Sequence, residues 1–135
     1  MKRLLSTNYS EGVFNFALLI LRIGMGSLML AHGYDKLVHF ARYKATFINF
    51  LGMGSGLSLA LVIFAEFFCA LFLIVGLFSR LVAIPIVISL FIALWKLHQF
   101  DFFGGGEKAA LLLTGFFTIL LLGPGKASVD GLVGK

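Results

Sequence analysis

The sequence contains little cysteine, and this shortage excludes one class of redox protein. Only one cysteine, Cys69, occurs in 135 residues. A single thiol cannot form a disulfide within the chain or a CxxC redox pair, so the dithiol chemistry of membrane disulfide oxidases is excluded within this chain. Because Cys69 stands inside an apolar run, a small buried hydrophobic side chain is the favoured interpretation.

Charge is also scarce, and this places the chain in the membrane. Charged residues make up 13% of the sequence and hydrophobic residues 60%, with a mean hydropathy of +1.04. These values lie far outside the range of a soluble domain and predict one integral membrane domain over residues 1–135, with the lipid bilayer as its partner. The net charge is +5, but the basic residues are scattered as interfacial anchors, so no nucleic-acid partner is expected.

Four apolar runs are candidates for membrane-spanning helices. About 20 helical residues cross a hydrocarbon layer roughly 30 Å thick. The runs cover about residues 13–33, 57–78, 81–98 and 107–122. We therefore predict an all-α fold, a four-helix transmembrane bundle.

The connection between the first two runs, residues 34–56, has a helical pattern of its own. Its apolar and polar residues fall on opposite sides of a helical projection. The apolar side comprises Leu37, Phe40, Ala41, Phe47, Ile48 and Leu51, and the polar side comprises His39, Arg42, Thr46 and Asn49. This pattern predicts an amphipathic helix in the membrane interface between the first and second spans.

The orientation is not decided by the count of basic residues. Four spans place both termini on one side of the membrane, and the two sides carry equal numbers of Lys and Arg. The terminal side would hold Lys2, Arg3, Arg80, Lys126 and Lys135, and the other side Lys36, Arg42, Lys44, Lys96 and Lys108. Because the first helix usually dominates, Lys2 and Arg3 favour both termini in the cytoplasm.

Polar residues inside the apolar runs are the first candidates for function, because an ionisable group in the bilayer is costly and normally has a partner. At 1.5 Å per residue from assumed entry points, Arg22, Glu66, Ser89 and Thr118 fall in one mid-membrane layer. This predicts an Arg22–Glu66 ion pair, hydrogen-bonded to Ser89 or Thr118. The pair would bind a proton, an anion or a quinone headgroup, or else serve as a structural salt bridge that fixes helix register.

A second polar cluster is expected at the membrane surface opposite the termini. It would combine residues from the ends of three runs, namely His32, Asp35, Lys36, Lys96, His98, Asp101 and Glu107. Two histidines with carboxylates could bind a transition metal or relay protons, but solvated helix ends explain the same residues. Since neither an HExxH spacing nor a GxxxxGK[ST] loop is present, no metal or nucleotide site is expected.

Several stretches together resemble the DoxX-like family. They are LLILRIGMGSLMLAHGYDKL, FAEFFCALFLIVGLFSRLVAIP, and the C-terminal GEKAALLL with GPGKASVD. The resemblance implies a four-helix protein of the bacterial inner membrane. The polar positions of interest that the resemblance implies are Arg22, His32, Gly33, Lys36, Glu66, Arg80, His98, Glu107, Lys126, Ser128 and Asp130.

The resemblance implies a role only in outline. Some relatives are linked with membrane oxidoreductase complexes, including a thiosulfate:quinone oxidoreductase subunit and a complex tied to thiol and oxidative-stress defence. We therefore expect an accessory subunit of a redox system that binds a quinone-like or anionic ligand, with other subunits or further copies of the chain as partners. The expected ligand-binding residues are Arg22, Glu66, Ser89, Thr118, His32, Lys36, His98 and Glu107.

Other classes of function remain open at this point. A non-catalytic membrane scaffold or assembly factor, in which the Arg22–Glu66 pair is structural, is the main alternative. A transporter is less favoured, because four spans are few for alternating access and inverted repeats are lacking. Whether the chain is an enzyme is also open, since it offers no cysteine pair, no intramembrane pair of haem-ligating histidines and no nucleotide loop.

Overall fold

The computed structural model describes residues 4–47 and 49–134, and this part of the chain is all-helical, with no strand. A short 3-10 turn occupies Phe50–Gly52. The helices are α1 Glu11–Val38, α2 Phe40–Thr46, α3 Ser55–Val75, α4 Ser79–Leu97, α5 Glu107–Leu122 and α6 Val129–Val133. The predicted all-α class is confirmed.

The first helix is longer than the sequence pattern suggested. Ser10 caps α1, since its Oγ accepts a hydrogen bond from the N–H of Val13 at 3.2 Å, and Glu11 in the first turn favours the positive end of the helix dipole. The helix continues through Gly33 as far as Val38, five residues beyond the predicted end. Its 28 residues extend about 42 Å, more than the hydrocarbon layer requires.

A tight hairpin joins the next two helices, as the sequence predicts. Helix α3 ends at Gly76, which has φ +78 and so adopts the left-handed conformation that glycine enters without steric cost. Helix α4 begins three residues later at Ser79. The second and third runs were predicted at 57–78 and 81–98, so their helices lie two or three residues earlier at the hairpin.

Three of the four predicted spans, α1, α3 and α4, are long and apolar enough to cross a membrane. Helix α5 has the predicted bounds, but its 16 residues extend only about 24 Å. It nevertheless packs along α4 and α1 and contributes to the same core. The orientation stays a prediction, and Lys2, Arg3 and Lys135 lie outside the described residues.

The apolar core lies where α1, α3, α4 and α5 meet. Its buried members are Met29, Cys69, Ala70, Leu73, Ile86, Leu90, Leu112, Phe116 and Ile119. Cys69 is a free thiol inside this core, so its interpretation as a small buried hydrophobic side chain is confirmed. Many large apolar side chains, such as Phe16, Leu81 and Leu121, face outward instead. This arrangement suits lipid as the surrounding solvent.

Two glycines set the register between α1 and α3. A β-carbon added to Gly33 would lie 2.6 Å from both the carbonyl carbon of Glu66 and the backbone nitrogen of Phe67. One added to Gly26 would lie 2.6 Å from Cγ1 of Ile74. The two backbones therefore approach closely, as small residues allow in membrane helix pairs.

The predicted interfacial helix over residues 34–56 is much shorter in the structure. Residues 34–38 belong to α1, and α2 has only seven residues, none of them buried. The break comes at His39, and the chain becomes extended at Phe47, with φ −75 and ψ 154. Positive φ values at Leu51, Gly52 and Gly54 prevent the helix from continuing, and Ile48 lies outside the described residues.

Candidate functional site

The predicted Arg22–Glu66 ion pair is wrong. Glu66 instead pairs with Lys36, whose Nζ lies 2.5 Å from Oε2 of the carboxylate. The reason is the register, because Gly33 packs on the backbone of Glu66 and Arg22 lies eleven residues before it in α1. That spacing amounts to about 16 Å along the helix. The depth count from assumed entry points failed because it did not reproduce the register in which α1 and α3 pack.

The Lys36–Glu66 pair lies in the helix bundle. Glu66 is 8% exposed, and the side chains of Lys36 and Glu66 are 20% and 11% exposed. His32, one turn before Lys36, lies within electrostatic range of Glu66, Lys36 and Lys108. We call His32, Lys36, Glu66 and Lys108 the Lys36–Glu66 site; they come from α1, α3 and α5.

The helix that carries Glu66 is irregular at this position. Residues Phe64–Cys69 form a π-helical segment within α3. Within this segment Ala65, Glu66 and Cys69 lie on the buried side. Segments of this kind are frequent at functional sites.

Ser89 and Thr118 do not join either charged residue. Thr118 donates from Oγ1 to the carbonyl of Thr114 within α5 at 2.8 Å. Ser89 is half-buried on the wall of a groove between α3 and α4. Across residues 4–47 and 49–134, no hydrogen bond links Ser89 or Thr118 to Arg22 or Glu66. The hydrogen-bonded four-residue layer predicted from the sequence is therefore wrong.

The second predicted cluster is divided in the structure. Lys36 pairs with Glu66, and His32 lies within electrostatic range of it. Asp35 accepts hydrogen bonds from Tyr43 and from Nδ1 of His39, the latter at 3.1 Å.

The remaining members of that cluster lie in and beside the turn before α5. Asp101 accepts the N–H of Gly105 at 3.2 Å, and Lys96 lies 4.0 Å from the ring centre of Trp95. His98 is half-buried beside Gly105 and Gly106, and Glu107 is exposed at the start of α5. No group of three or more His, Cys, Asp or Glu side chains that could hold a metal occurs among the described residues.

Arg22 has a different set of partners, which the sequence did not indicate. The residue is 3% exposed, and its guanidinium donates to three main-chain carbonyls. These belong to Ile74 at 3.3 Å, Pro124 at 2.5 Å and Ala127 at 2.8 Å. Every residue has a carbonyl, so no side-chain motif marks such an acceptor set. The available signals were the cation inside an apolar helix and the Gly123-Pro124-Gly125 break that frees carbonyls from helical bonding.

A comparison with known families agrees with this helical membrane architecture. The family model described as DoxX matches residues 17–99, which is more than half of the chain. The chain belongs to the DoxX family. No curated protein and no solved structure matches it. The matched DoxX region contains Arg22, His32, Lys36 and Glu66, whereas Lys108 lies beyond it.

The C-terminal segment of this DoxX-family protein, residues 123–134, which we call the tail, docks on the hairpin between α3 and α4. The carboxylate of Asp130 accepts the N–H groups of Phe78 and Ser79, both at 2.8 Å, at the start of α4. The N–H of Asp130 donates to the carbonyl of Gly76 at 2.9 Å. Ser128 caps α6 by accepting the N–H of Gly131. Asp130 thus satisfies orphan N–H groups at a helix N-terminus.

Weaker contacts tie the tail to the start of α1. The N–H of Lys126 donates to Oδ1 of Asn15 at 2.9 Å, and its ammonium pairs with Glu11. Arg80 reaches the carbonyl of Leu121 only at 3.5 Å, the limit of a hydrogen bond. Four of the positions carried over by family resemblance, Arg22, Lys126, Ser128 and Asp130, therefore meet at the tail and not at the Lys36–Glu66 site.

The docked tail lowers the pKa of Asp130. Burial raises that pKa, but the N–H donors of Ser79 and Phe78 and the nearby Arg22 outweigh the burial, and the net pKa lies below the ordinary value. A carboxyl group whose folded pKa is lowered stabilises the folded state above its unfolded pKa. That contribution is lost as the pH falls through the folded pKa.

Acidification is therefore expected to weaken tail docking through Asp130. We expect Asp130→Asn to have a lower thermal midpoint than the native chain, with a constant difference above about pH 5 and a shrinking one below about pH 4. Thermal unfolding in detergent from pH 7 to pH 3 measures both proteins, and the other carboxyl groups cancel in the difference. A difference that did not change down to pH 3 would contradict the role of the ionised carboxylate.

Proposed function

We propose that this DoxX-family protein is a small accessory subunit of a membrane oxidoreductase system that binds a quinone-like or anionic ligand at the Lys36–Glu66 site. The observation that carries the proposal is the Lys36–Glu66 ion pair, held on a π-helical segment and only partly shielded. An ionisable residue within a membrane-spanning helix is by default a candidate functional group, because its burial is costly.

The proposal includes a four-span arrangement in the bacterial inner membrane with both termini in the cytoplasm. Helix α5 would be the fourth span, and its support is the burial of Leu112, Phe116 and Ile119 in the core shared with α1, α3 and α4. A helix of about 24 Å can be matched by local thinning of the bilayer or by its polar ends. The Lys36–Glu66 site would then lie toward the side opposite the termini.

The residues present fit a quinone headgroup. The ammonium of Lys36 can donate to a quinone carbonyl, and the carboxylate of Glu66 can accept from a quinol hydroxyl. A quinone would supply two-electron, two-proton chemistry when bound. The carboxylate of Glu66, whose Oε2 contacts Lys36, would be the group beside the quinone that takes up or returns a proton.

Two ammonium groups of the site can stabilise an electron-rich ligand. Lys36 and Lys108 lie within electrostatic range of His32, together with the carboxylates of Glu66 and Asp35, so the formal charges around His32 balance. The reduced semiquinone or quinolate form of a headgroup, or a small organic anion, would be stabilised by a direct contact with Lys36 or Lys108.

Glu66→Gln is expected to weaken quinone binding at least tenfold, since the ionised acceptor beside Lys36 is lost. The measurement is a titration of the purified protein in nanodiscs with a short-chain ubiquinone analogue, followed by Trp95 fluorescence. Glu107→Gln is the matched control, because Glu107 is exposed at the start of α5, and it should bind as the native chain does. If the native chain fails to bind, or Glu66→Gln binds unchanged, the proposal is wrong.

A membrane scaffold or assembly factor is the second candidate, and the completeness of the polar contacts favours it. Lys36 and Glu66 satisfy one another, and Arg22 is satisfied by carbonyls.

If the protein is a scaffold, the double variant with Lys36→Glu and Glu66→Lys should restore the abundance and stability lost in each single variant. For a ligand-binding site, the exchange would restore stability without restoring binding. Copies of the chain or other redox subunits are the proposed partners.

A further inference from the structure

A long apolar groove follows the outer side of α3 and α4. Its volume is about 380 Å³, and at one end it is bounded by Phe47 and Met53 from the connection between α2 and α3. The wall passes from Ser58 to Ala65 on α3 and from Ile92 to Pro85 on α4. Seven residues on each helix correspond to about 10 Å, so the groove extends from the membrane interface into the hydrocarbon layer.

A cation lies beside the interfacial end of this groove. The side chain of Lys44 lies across Gly56, since a β-carbon on Gly56 would be 3.1 Å from its Cε and 3.6 Å from its Nζ. Gly56 stands between Met53 and Ser58, which both line the groove. Lys44 is not among the ion pairs formed by the described residues, which join Lys36 to Glu66, His39 to Asp35 and Lys126 to Glu11.

The whole connection around the groove mouth is basic. Residues 39–56 contain Arg42 and Lys44 and no Asp or Glu. The groove itself is lined almost entirely by apolar side chains and opens outward between two helices that are long enough to cross a membrane. The charge at the mouth and the apolar wall below it match the two halves of an anionic phospholipid.

We infer that the α3–α4 groove binds an anionic phospholipid, with one acyl chain along the groove and the phosphate at Lys44. The apolar wall excludes a polar ligand, and the Lys44 ammonium at the interfacial end selects a negative headgroup over a zwitterionic one. Phe47 and Met53 would close over the upper part of the chain. The site is separate from the Lys36–Glu66 site, whose members do not line this groove.

The test compares lipid retention by native mass spectrometry after reconstitution with phosphatidylglycerol or phosphatidylcholine of the same acyl chains. The native chain should retain phosphatidylglycerol about fivefold better, the size expected for one lysine at an anionic surface. Lys44→Gln should abolish this preference. Lys126→Gln is the control, because Lys126 pairs with Glu11, away from the residues that line the groove, and should leave the preference intact.

A second variant tests the groove itself. Ile88→Trp fills the groove without touching the core, since Ile88 lines it and is 53% exposed, and it should lower retention of both phospholipids at least fivefold. Equal retention of the two phospholipids by the native chain would overturn the inference. So would equal effects of Lys44→Gln and Lys126→Gln, or binding of a neutral isoprenoid quinone in place of phosphatidylglycerol.

Discussion

Replacing Arg22 by methionine is expected to lower the free energy of unfolding by about 3 kcal/mol or more. The guanidinium satisfies the carbonyls of Ile74, Pro124 and Ala127, and Arg22 itself is 3% exposed. Methionine has a similar length but donates no hydrogen bond, and each buried acceptor left without a donor costs about 1–3 kcal/mol. Chemical unfolding in mixed micelles measures the loss.

The same variant should release the tail before the bundle unfolds, because two of the three acceptors belong to the tail. Limited proteolysis should then cleave residues 123–134 at concentrations of protease that leave the native chain intact. Lys126→Met is the control: it removes the exposed pair of the Lys126 side chain with Glu11 and keeps the backbone N–H that bonds Asn15, so it should change stability by less than about 1 kcal/mol. If the tail of Arg22→Met resists the protease and the variant is as stable as the native chain, then the hydrogen bonds from Arg22 to the three carbonyls do not hold the tail in place.

Adding one methyl group at Gly33 is expected to cost about 2–3 kcal/mol. In Gly33→Ala the new β-carbon would meet the backbone of Glu66 and Phe67 at 2.6 Å, and a backbone cannot turn away as a flexible side chain can. The helices α1 and α3 must separate or slide. Either movement should also lengthen the contact between Lys36 and Glu66, so ligand binding at that site should fall with stability.

Gly24→Ala is the matched control in the same helix, because nothing lies within 4 Å of a β-carbon at Gly24. It should be neutral or slightly stabilising, since alanine has a higher helix propensity than glycine by up to about 1 kcal/mol. Thermal and chemical unfolding of the two variants in the same detergent makes the comparison. Equal effects of the two substitutions would exclude close backbone packing as the role of Gly33.

The two buried polar groups of this protein have separate tasks in this interpretation. Arg22 fastens the tail to the hairpin at the end of the bundle that carries both termini, and its partners are carbonyls of the chain itself. Glu66 lies about 16 Å from Arg22, measured along the axis of α1, and pairs with Lys36, whose side chain is one-fifth exposed. The guanidinium of Arg22 donates to three carbonyls, whereas the Lys36–Glu66 pair is partly exposed. This contrast is why Glu66, and not Arg22, is the better candidate for function.

The class of the protein and most of its helices could be predicted from the sequence alone. Long apolar runs can satisfy their backbone only as helices in lipid, so the all-helical membrane fold followed from composition and run length. The bounds of α5 at Glu107 and Leu122 were predicted correctly because three glycines precede it and Gly123-Pro124 follows it. The hairpin at Gly76 was visible because only a few residues separate two apolar runs.

The partners of the charged residues were decided by the tertiary structure. Counting residues from an assumed entry point gives the depth of Glu66 in the bilayer only to within a few helical turns. The fit of Gly33 on the backbone of Glu66 sets the register of α1 and so brings Lys36, and not Arg22, to the carboxylate. Arg22 binds carbonyls that have no sequence signature, from a tail folded back over about a hundred residues of intervening chain. Composition determines where this protein resides, whereas the packing of two helix backbones determines which of its charges meet.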